Sequence, residues 1–329
     1  MKIGIIGATG MLGHHAAKAV IDAGHELVVV HRRGSNLDKI NDLNFESRIG
    51  DLDDKNALKE TLVGLDAVMN CGAYYPTVPL SLNKEMDRAK VQMDNFITAG
   101  EYNKVGKMLY LGGSIALPKS PNGIGTEELI YTSAPENKTP YVQVKWLMDK
   151  MAQEAGKNGI PLVIGIPAMT FGEYDYGPTT GQLIRNIANQ QMPVYLRGDR
   201  NVVYAGDAAN GLLLAAEKGR IGERYLFTGE NINMDNLVKA IALQANVEPP
   251  TKVIPLGLAK VISFFQELKY RFFKGNVPEL SATRIAILSA GQFLDGEKAK
   301  RELGYAPSVT TNEAIKRTID WFKTVGYVA

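Results

Sequence analysis

Short β-branched runs alternate with amphipathic stretches along the first half of the chain. Residues 2 to 7 (Lys-Ile-Gly-Ile-Ile-Gly) form the first run, and Leu12, Ala16, Ala17 and Val20 then recur at helical spacing. A second run, Leu27-Val28-Val29-Val30, ends at His31-Arg32-Arg33-Gly34-Ser35, where polar residues take over. The alternation continues with a strand near Arg48-Ile49-Gly50, a helix over Lys55 to Val63 and a strand over Ala67 to Asn70. A helix from about Asp87 to Tyr102, a strand over Lys107 to Leu111, a helix from about Tyr141 to Gly156 and a strand over Pro161 to Ile166 follow. Strands that read as continuous apolar runs are buried on both faces, and their alternation with helices predicts an α/β fold with a doubly wound parallel sheet.

Two stretches depart from this rhythm. Between Ser114 and Pro140 the chain turns to Pro, Gly, Ser and Asn, a long polar connection of the kind that lies beside a site. Past residue 166 the regularity loosens, which divides the chain into a core over 1–166 and a smaller lobe, mainly substrate-facing, over 167–329, with late segments packing back on the core. Within that lobe the Pro255 to Lys274 stretch carries Phe264, Phe265, Phe272 and Phe273, interrupted by Gln266, Glu267, Lys269 and Arg271. It predicts a core helix, with a membrane-facing or dimer surface as the alternative.

Composition narrows the function. In 329 residues, 45% hydrophobic and 22% charged residues fit a folded globular chain, and 37 basic against 35 acidic residues give a net charge of +2, no field for nucleic acid. The single cysteine, Cys71, excludes an internal disulfide and a cysteine zinc cluster and fits a reducing compartment. All four histidines fall within the first 31 positions, which leaves the rest of the chain without an imidazole for a triad or a metal cage. The opening residues are too short and too broken for a signal peptide, so a cytoplasmic protein without a membrane span is expected.

Gly7-Ala8-Thr9-Gly10-Met11-Leu12-Gly13 follows the first strand and opens a helix. Glycines at this spacing allow a tight turn and let a pyrophosphate approach the amides of the helix N-terminus, so the core reads as a Rossmann-type dinucleotide-binding unit. His14 stands where a nucleoside-triphosphate loop needs its lysine. At the end of the second strand, where an acid would hold the adenosine ribose, stand Arg32 and Arg33 with the Ser35 hydroxyl. This cationic fork favours NADP(H), with NAD(H) as second choice. Tyr141 and Lys145, four apart on one helix face, can converge on one ligand, the tyrosine moving a proton while the cofactor carries hydride. Tyr270 and Lys274 repeat the spacing away from the sheet's carboxyl edge and serve as a decoy.

Together these residues resemble the extended short-chain dehydrogenase/reductase family (NAD(P)-dependent epimerase/dehydratase), whose members include nucleotide-sugar epimerases and dihydroflavonol reductases. Gly50-Asp51-Leu52 is similar to the family's adenine-contacting turn, and Asn70-Cys71-Gly72-Ala73-Tyr74-Tyr75 to the segment beside the nicotinamide. Val203 to Asp207 and Gly219 to Tyr225 resemble motifs of the dihydroflavonol-4-reductase-like branch, which includes a hopanoid-associated sugar epimerase group. The resemblance implies cofactor contacts from the glycine turn, Asp51, Leu52, Cys71, Gly72, Ala73, Tyr141, Lys145 and Pro167. It also implies a homodimer. One departure stands out: the family's substrate-facing serine falls on Gly113, with Ser114 one residue late, so either a bulge brings Ser114 into place or the hydroxyl is lost. Tyr75, Thr170 and Phe171 are expected over the nicotinamide, with residues 173–180 lining the same cleft. The expected function is an NADP(H)-dependent oxidoreductase acting on an alcohol/carbonyl pair of a small or sugar-like substrate. The alternatives are an epimerase/dehydratase that retains its cofactor, and a cofactor-binding sensor with weak turnover.

Overall fold

The apolar runs assemble into one parallel sheet. The strands are β1 (Lys2–Ile6), β2 (Glu26–His31), β3 (Glu46–Ile49), β4 (Ala67–Asn70) and β5 (Lys107–Leu111), then β6 (Leu162–Pro167). Helices α1 (Met11–Asp22), α2 (Lys55–Thr61), α3 (Leu82–Tyr102) and α4 (Pro140–Lys157) connect them. This computed structural model describes every residue except Ala73, 75–80, Thr179 and 274–280, and the side chains of Arg271 and Phe273.

Further along come β7 (Met169–Phe171), α5 (Gln182–Ala188), β8 (Asp199–Tyr204), α6 (Ala205–Lys218), β9 (Arg224–Phe227), β10 (Glu230–Asn233) and α7 (Met234–Ala245). Four helices end the chain: α8 (Leu256–Phe273), α9 (Ala282–Ala290), α10 (Glu297–Leu303) and α11 (Thr311–Thr324). The main sheet has seven strands in the order β9-β6-β5-β4-β1-β2-β3, all parallel. The order reverses between β1 and β4, and the crevice above such a switch point is where doubly wound sheets bind ligands.

The sheet does not end at β6, as the loss of regularity past residue 166 predicts. The chain leaves after Pro167, builds β7, α5 and β8, and returns through α6 to lay β9 against β6, Arg224 opposite Ile164 and Phe227 opposite Pro167. The reason is visible in β6 itself, which is buried at all six positions and needs cover on both edges. The smaller lobe has its own sheet, β10-β8-β7, and its own core, centred on Phe171, Ile184, Leu237, Ile241, Ile315 and Phe322.

Within the Pro255 to Lys274 stretch, Leu256–Phe273 is helical, yet it is no core helix. Phe264 and Phe265 are each 62% exposed and Phe272 is 72% exposed. Among the described residues, no helix is long and apolar enough to cross a membrane.

Candidate active site

The β1–α1 turn is shaped by two glycines that nothing else can replace. Gly7 sits at φ +88°, where side chains are strained, and a Cβ there would lie 2.7 Å from the backbone of Gly72. At Gly13 a Cβ would come within 2.1 Å of the Gly7 carbonyl oxygen. The turn therefore packs backbone against backbone with the end of β4. Gly10 caps α1 and offers no capping side chain, so the first amides of the helix remain available to an anion.

From this turn a cleft of about 830 Å³ runs along the carboxyl ends of the strands. It brings together most of the residues the sequence singles out. Gly7, Thr9, Gly10, Met11, Leu12 and Gly13 form one wall, and Arg32, Ser35, Asp51 and Leu52 stand at one end. Cys71 and Gly72 follow from β4, while Ser114, Tyr141, Lys145, Pro167 and Thr170 line the other end. The local frame is well tied: Asn95 Nδ2 donates to the Leu52 carbonyl at 2.9 Å, and the Asp51 carboxylate accepts from the Asp53 amide at 3.0 Å. Burial pushes the Cys71 thiol up to about 12, which leaves it a packing group rather than a nucleophile.

Two expected residues lie elsewhere. Phe171 is fully buried in the core of the smaller lobe, because successive side chains of β7 alternate and Thr170 takes the cleft side. Arg33 faces an adjoining hollow, shared with Arg32, Ser35, Gly50 and Asp51, rather than the main cleft. Both arginines are exposed, and among the described residues no carboxylate pairs with either. Ala73 and Tyr75, like Lys274 of the decoy pair, lie outside the described residues.

Tyr141 and Lys145 project from the first turns of α4, where Pro140 occupies the first helical position. Both are buried, with only 3% of Lys145 exposed. Burial pulls the Lys145 ammonium down to about 8, and no carboxylate among the described residues offsets that cost. The ammonium lies over the face of Tyr110, 6.0 Å from the ring centre. At the end of β5, Gly113 has φ −162°, ordinary extended backbone, so no glycine-dependent bulge is present. Ser114 instead reaches the cleft by opening a 3-10 turn, Ser114–Ala116. A Cβ built on Gly113 would point toward Lys145, 4.0 Å from its Cε.

The 173–180 segment, expected to line the cleft, divides between it and the surrounding packing. Of the 173–180 segment, Asp175, Tyr176, Gly177 and Thr180 line the cleft. Glu173 and Tyr174 turn away: Tyr174, at φ +65°, stacks on His14 at 3.5 Å, and Glu173 accepts from the Tyr204 hydroxyl at 2.9 Å. Burial pushes the Asp175 carboxyl up to about 6. From the smaller lobe come Arg200 and, on and just after α9, Ile287, Leu288 and Gly291. Arg200 is buried and donates to the Asp199 and Leu288 carbonyls, each at 2.6 Å, with no carboxylate in ion-pair reach among the described residues. A lone arginine in a short strand carries no motif, so only the tertiary structure reveals it.

The glycine cradle, the uncapped helix start and the unpaired arginines fit a dinucleotide. Comparison with known proteins agrees. The NAD dependent epimerase/dehydratase family matches residues 3–227. Sterol demethylase protein B of Methylococcus capsulatus is 26% identical over 98% of this chain and 99% of its own length. A dihydroflavonol 4-reductase-like protein of Synechocystis is 23% identical over 98% of this chain and 95% of its own. The solved structure of a nucleoside-diphosphate-sugar epimerase from Pseudomonas aeruginosa is 38% identical with a TM-score of 0.87, covering 100% of this chain and 99% of that one. The chain belongs to the NAD dependent epimerase/dehydratase family, NAD(P)-dependent enzymes of the extended short-chain dehydrogenase type.

Proposed function

We propose that the protein is an NADP(H)-dependent oxidoreductase that interconverts an alcohol and a carbonyl on a small or sugar-like substrate. The observation that carries this reading is the placement of Tyr141 and Lys145 side by side in the cleft that the glycine turn opens. When bound there, the nicotinamide supplies or accepts the hydride. The Tyr141 hydroxyl then gives or takes the proton at the substrate oxygen. Lys145 lowers the cost of the phenolate beside it, as a neighbouring cation favours the charged form. Ser114 donates to the same substrate oxygen and orients it. Arg32 and Arg33 hold the phosphate that distinguishes NADP(H).

A second reading, epimerisation or dehydration with the cofactor retained, is supported by Arg200. Its buried guanidinium lines the cleft with no carboxylate partner among the described residues, which suits a substrate carrying an anionic group. Release of the cofactor on every turnover separates the two.

The test is a spectrophotometric assay with NADPH and a panel of carbonyl compounds. Tyr141→Phe is expected to lower turnover by about 10²–10⁴ while NADPH affinity holds. Tyr270→Phe, away from the cleft, should change neither. Undiminished turnover in Tyr141→Phe would remove the tyrosine from the mechanism.

A further inference from the structure

The outer face of α8 is an apolar surface the active site leaves unexplained. Leu258, Val261, Phe265, Leu268 and Phe272 recur at intervals of three and four, with Phe264 beside them, so they form one stripe. Their exposure runs from 39% at Leu268 to 72% at Phe272. Contiguous patches of this kind on a soluble fold mark interaction sites. The opposite face is committed elsewhere: Ala259 and Ser263 are buried, and Ala259 packs with Leu196 and Ile285.

Charge identifies what fits the outer face. Glu267 is the one acid in the helix, and its carboxylate is turned inward to accept from the Ala282 amide at 2.7 Å, capping α9. Lys260 and Lys269 are exposed, and neither has a carboxylate partner among the described residues. Over 256–280 the sequence carries Lys260, Lys269, Arg271 and Lys274 against Glu267 and Glu279. The solvent-facing side of α8 thus presents phenylalanine and leucine between cations, with no acid of the helix itself on that side. A second copy docked on this face would bring cations against cations. An anionic bilayer surface complements both features, since acyl chains take the aromatic stripe and lipid phosphates take the ammonium groups.

We propose that α8 lies flat in the interface of an anionic lipid bilayer, with its apolar stripe in the acyl boundary and Lys260 and Lys269 at the headgroups. The protein then rests on the membrane and does not span it. α9, packed on the inner side of α8, contributes Ile287 and Leu288 to the cleft wall, so a single helix separates the docking face from the site.

The experiment is flotation of the full chain with vesicles of phosphatidylcholine alone or with a third of phosphatidylglycerol, alongside sedimentation velocity without lipid. Phe264→Glu with Phe265→Glu, and separately Lys260→Glu with Lys269→Glu, alter exposed side chains only, and circular dichroism checks the fold of each. The parent is expected to float with the anionic vesicles and to be released by high salt. Each double variant should bind at least about tenfold more weakly. Failure of the parent to float, or binding that survives both double variants, would overturn the assignment. So would self-association abolished by the phenylalanine changes without vesicle binding, which would give the face to a second copy.

Discussion

Replacing Lys145 by methionine should make the cofactor-free protein more stable while destroying its activity. In an unfolded chain this ammonium titrates near 10.5, and burial in the fold brings it to about 8. The difference corresponds to about 3 kcal/mol spent on keeping the charge in a dry site. Methionine matches the length of the side chain and carries no charge, and imperfect packing returns about 1 kcal/mol, so a net gain of about 2 kcal/mol is expected at pH 7. The pH dependence is diagnostic. Below pH 8 both states of the parent hold the proton and the full penalty applies. Between pH 8 and 10.5 the folded state releases it while the unfolded state keeps it, so the parent gains stability as pH rises. The variant's advantage should accordingly narrow toward pH 10. Urea unfolding of both proteins without cofactor, at pH 7 and pH 10, measures the gap. A variant less stable than the parent at pH 7, or a gap indifferent to pH, would refute the reasoning. Such a trade of stability for function is expected wherever a site holds an unpaired buried charge.

Other expectations follow from the same geometry. Arg32→Ala with Arg33→Ala should weaken NADPH by at least tenfold and spare NADH by calorimetry, since charge-assisted phosphate contacts contribute about 1.5–3 kcal/mol each. Equal affinity of the parent for the two cofactors would exclude the preference. Ser114→Ala should lower turnover by about 10²–10³ without loss of cofactor affinity, whereas Gly113→Ser should fold normally, its new Cβ lying 4.0 Å from the Lys145 Cε, an ordinary contact. His15, pulled down to about 3 by burial, gains a proton on unfolding between pH 6.5 and 3, so the fold weakens as pH falls through that window. His15→Gln should flatten that acid limb by about 2 kcal/mol at pH 5, read from urea midpoints.

The core was legible because its signals are local. The apolar runs set β1, β2 and β4–β6, and the glycine spacing marks the turn whose backbone contacts with β4 leave no room for a Cβ. Tyr141 and Lys145 were legible because helical spacing alone puts them on one face. Arg200 and Leu288 were not, since each comes from a separate element and meets the cleft only after the smaller lobe has folded. Phe171 was misjudged by one position of strand alternation. For α8 the amphipathic pattern was plain, but the pattern is the same whether an apolar face meets a core or the outside, and only the packing of α9 on the inner side decides it.

The late arrival of β9 has a consequence for how the chain reaches its folded state. Until residues 224–227 are in place, β6 presents an unpaired, wholly apolar strand edge, Leu-Val-Ile-Gly-Ile-Pro. Such edges recruit strands from other chains. A nascent chain must therefore extend past Phe227 before its sheet can close, and the pairing of β6 with β9 is a slow, long-range step. Cleavage between β6 and β9 would release fragments that carry this open apolar edge and are prone to aggregate.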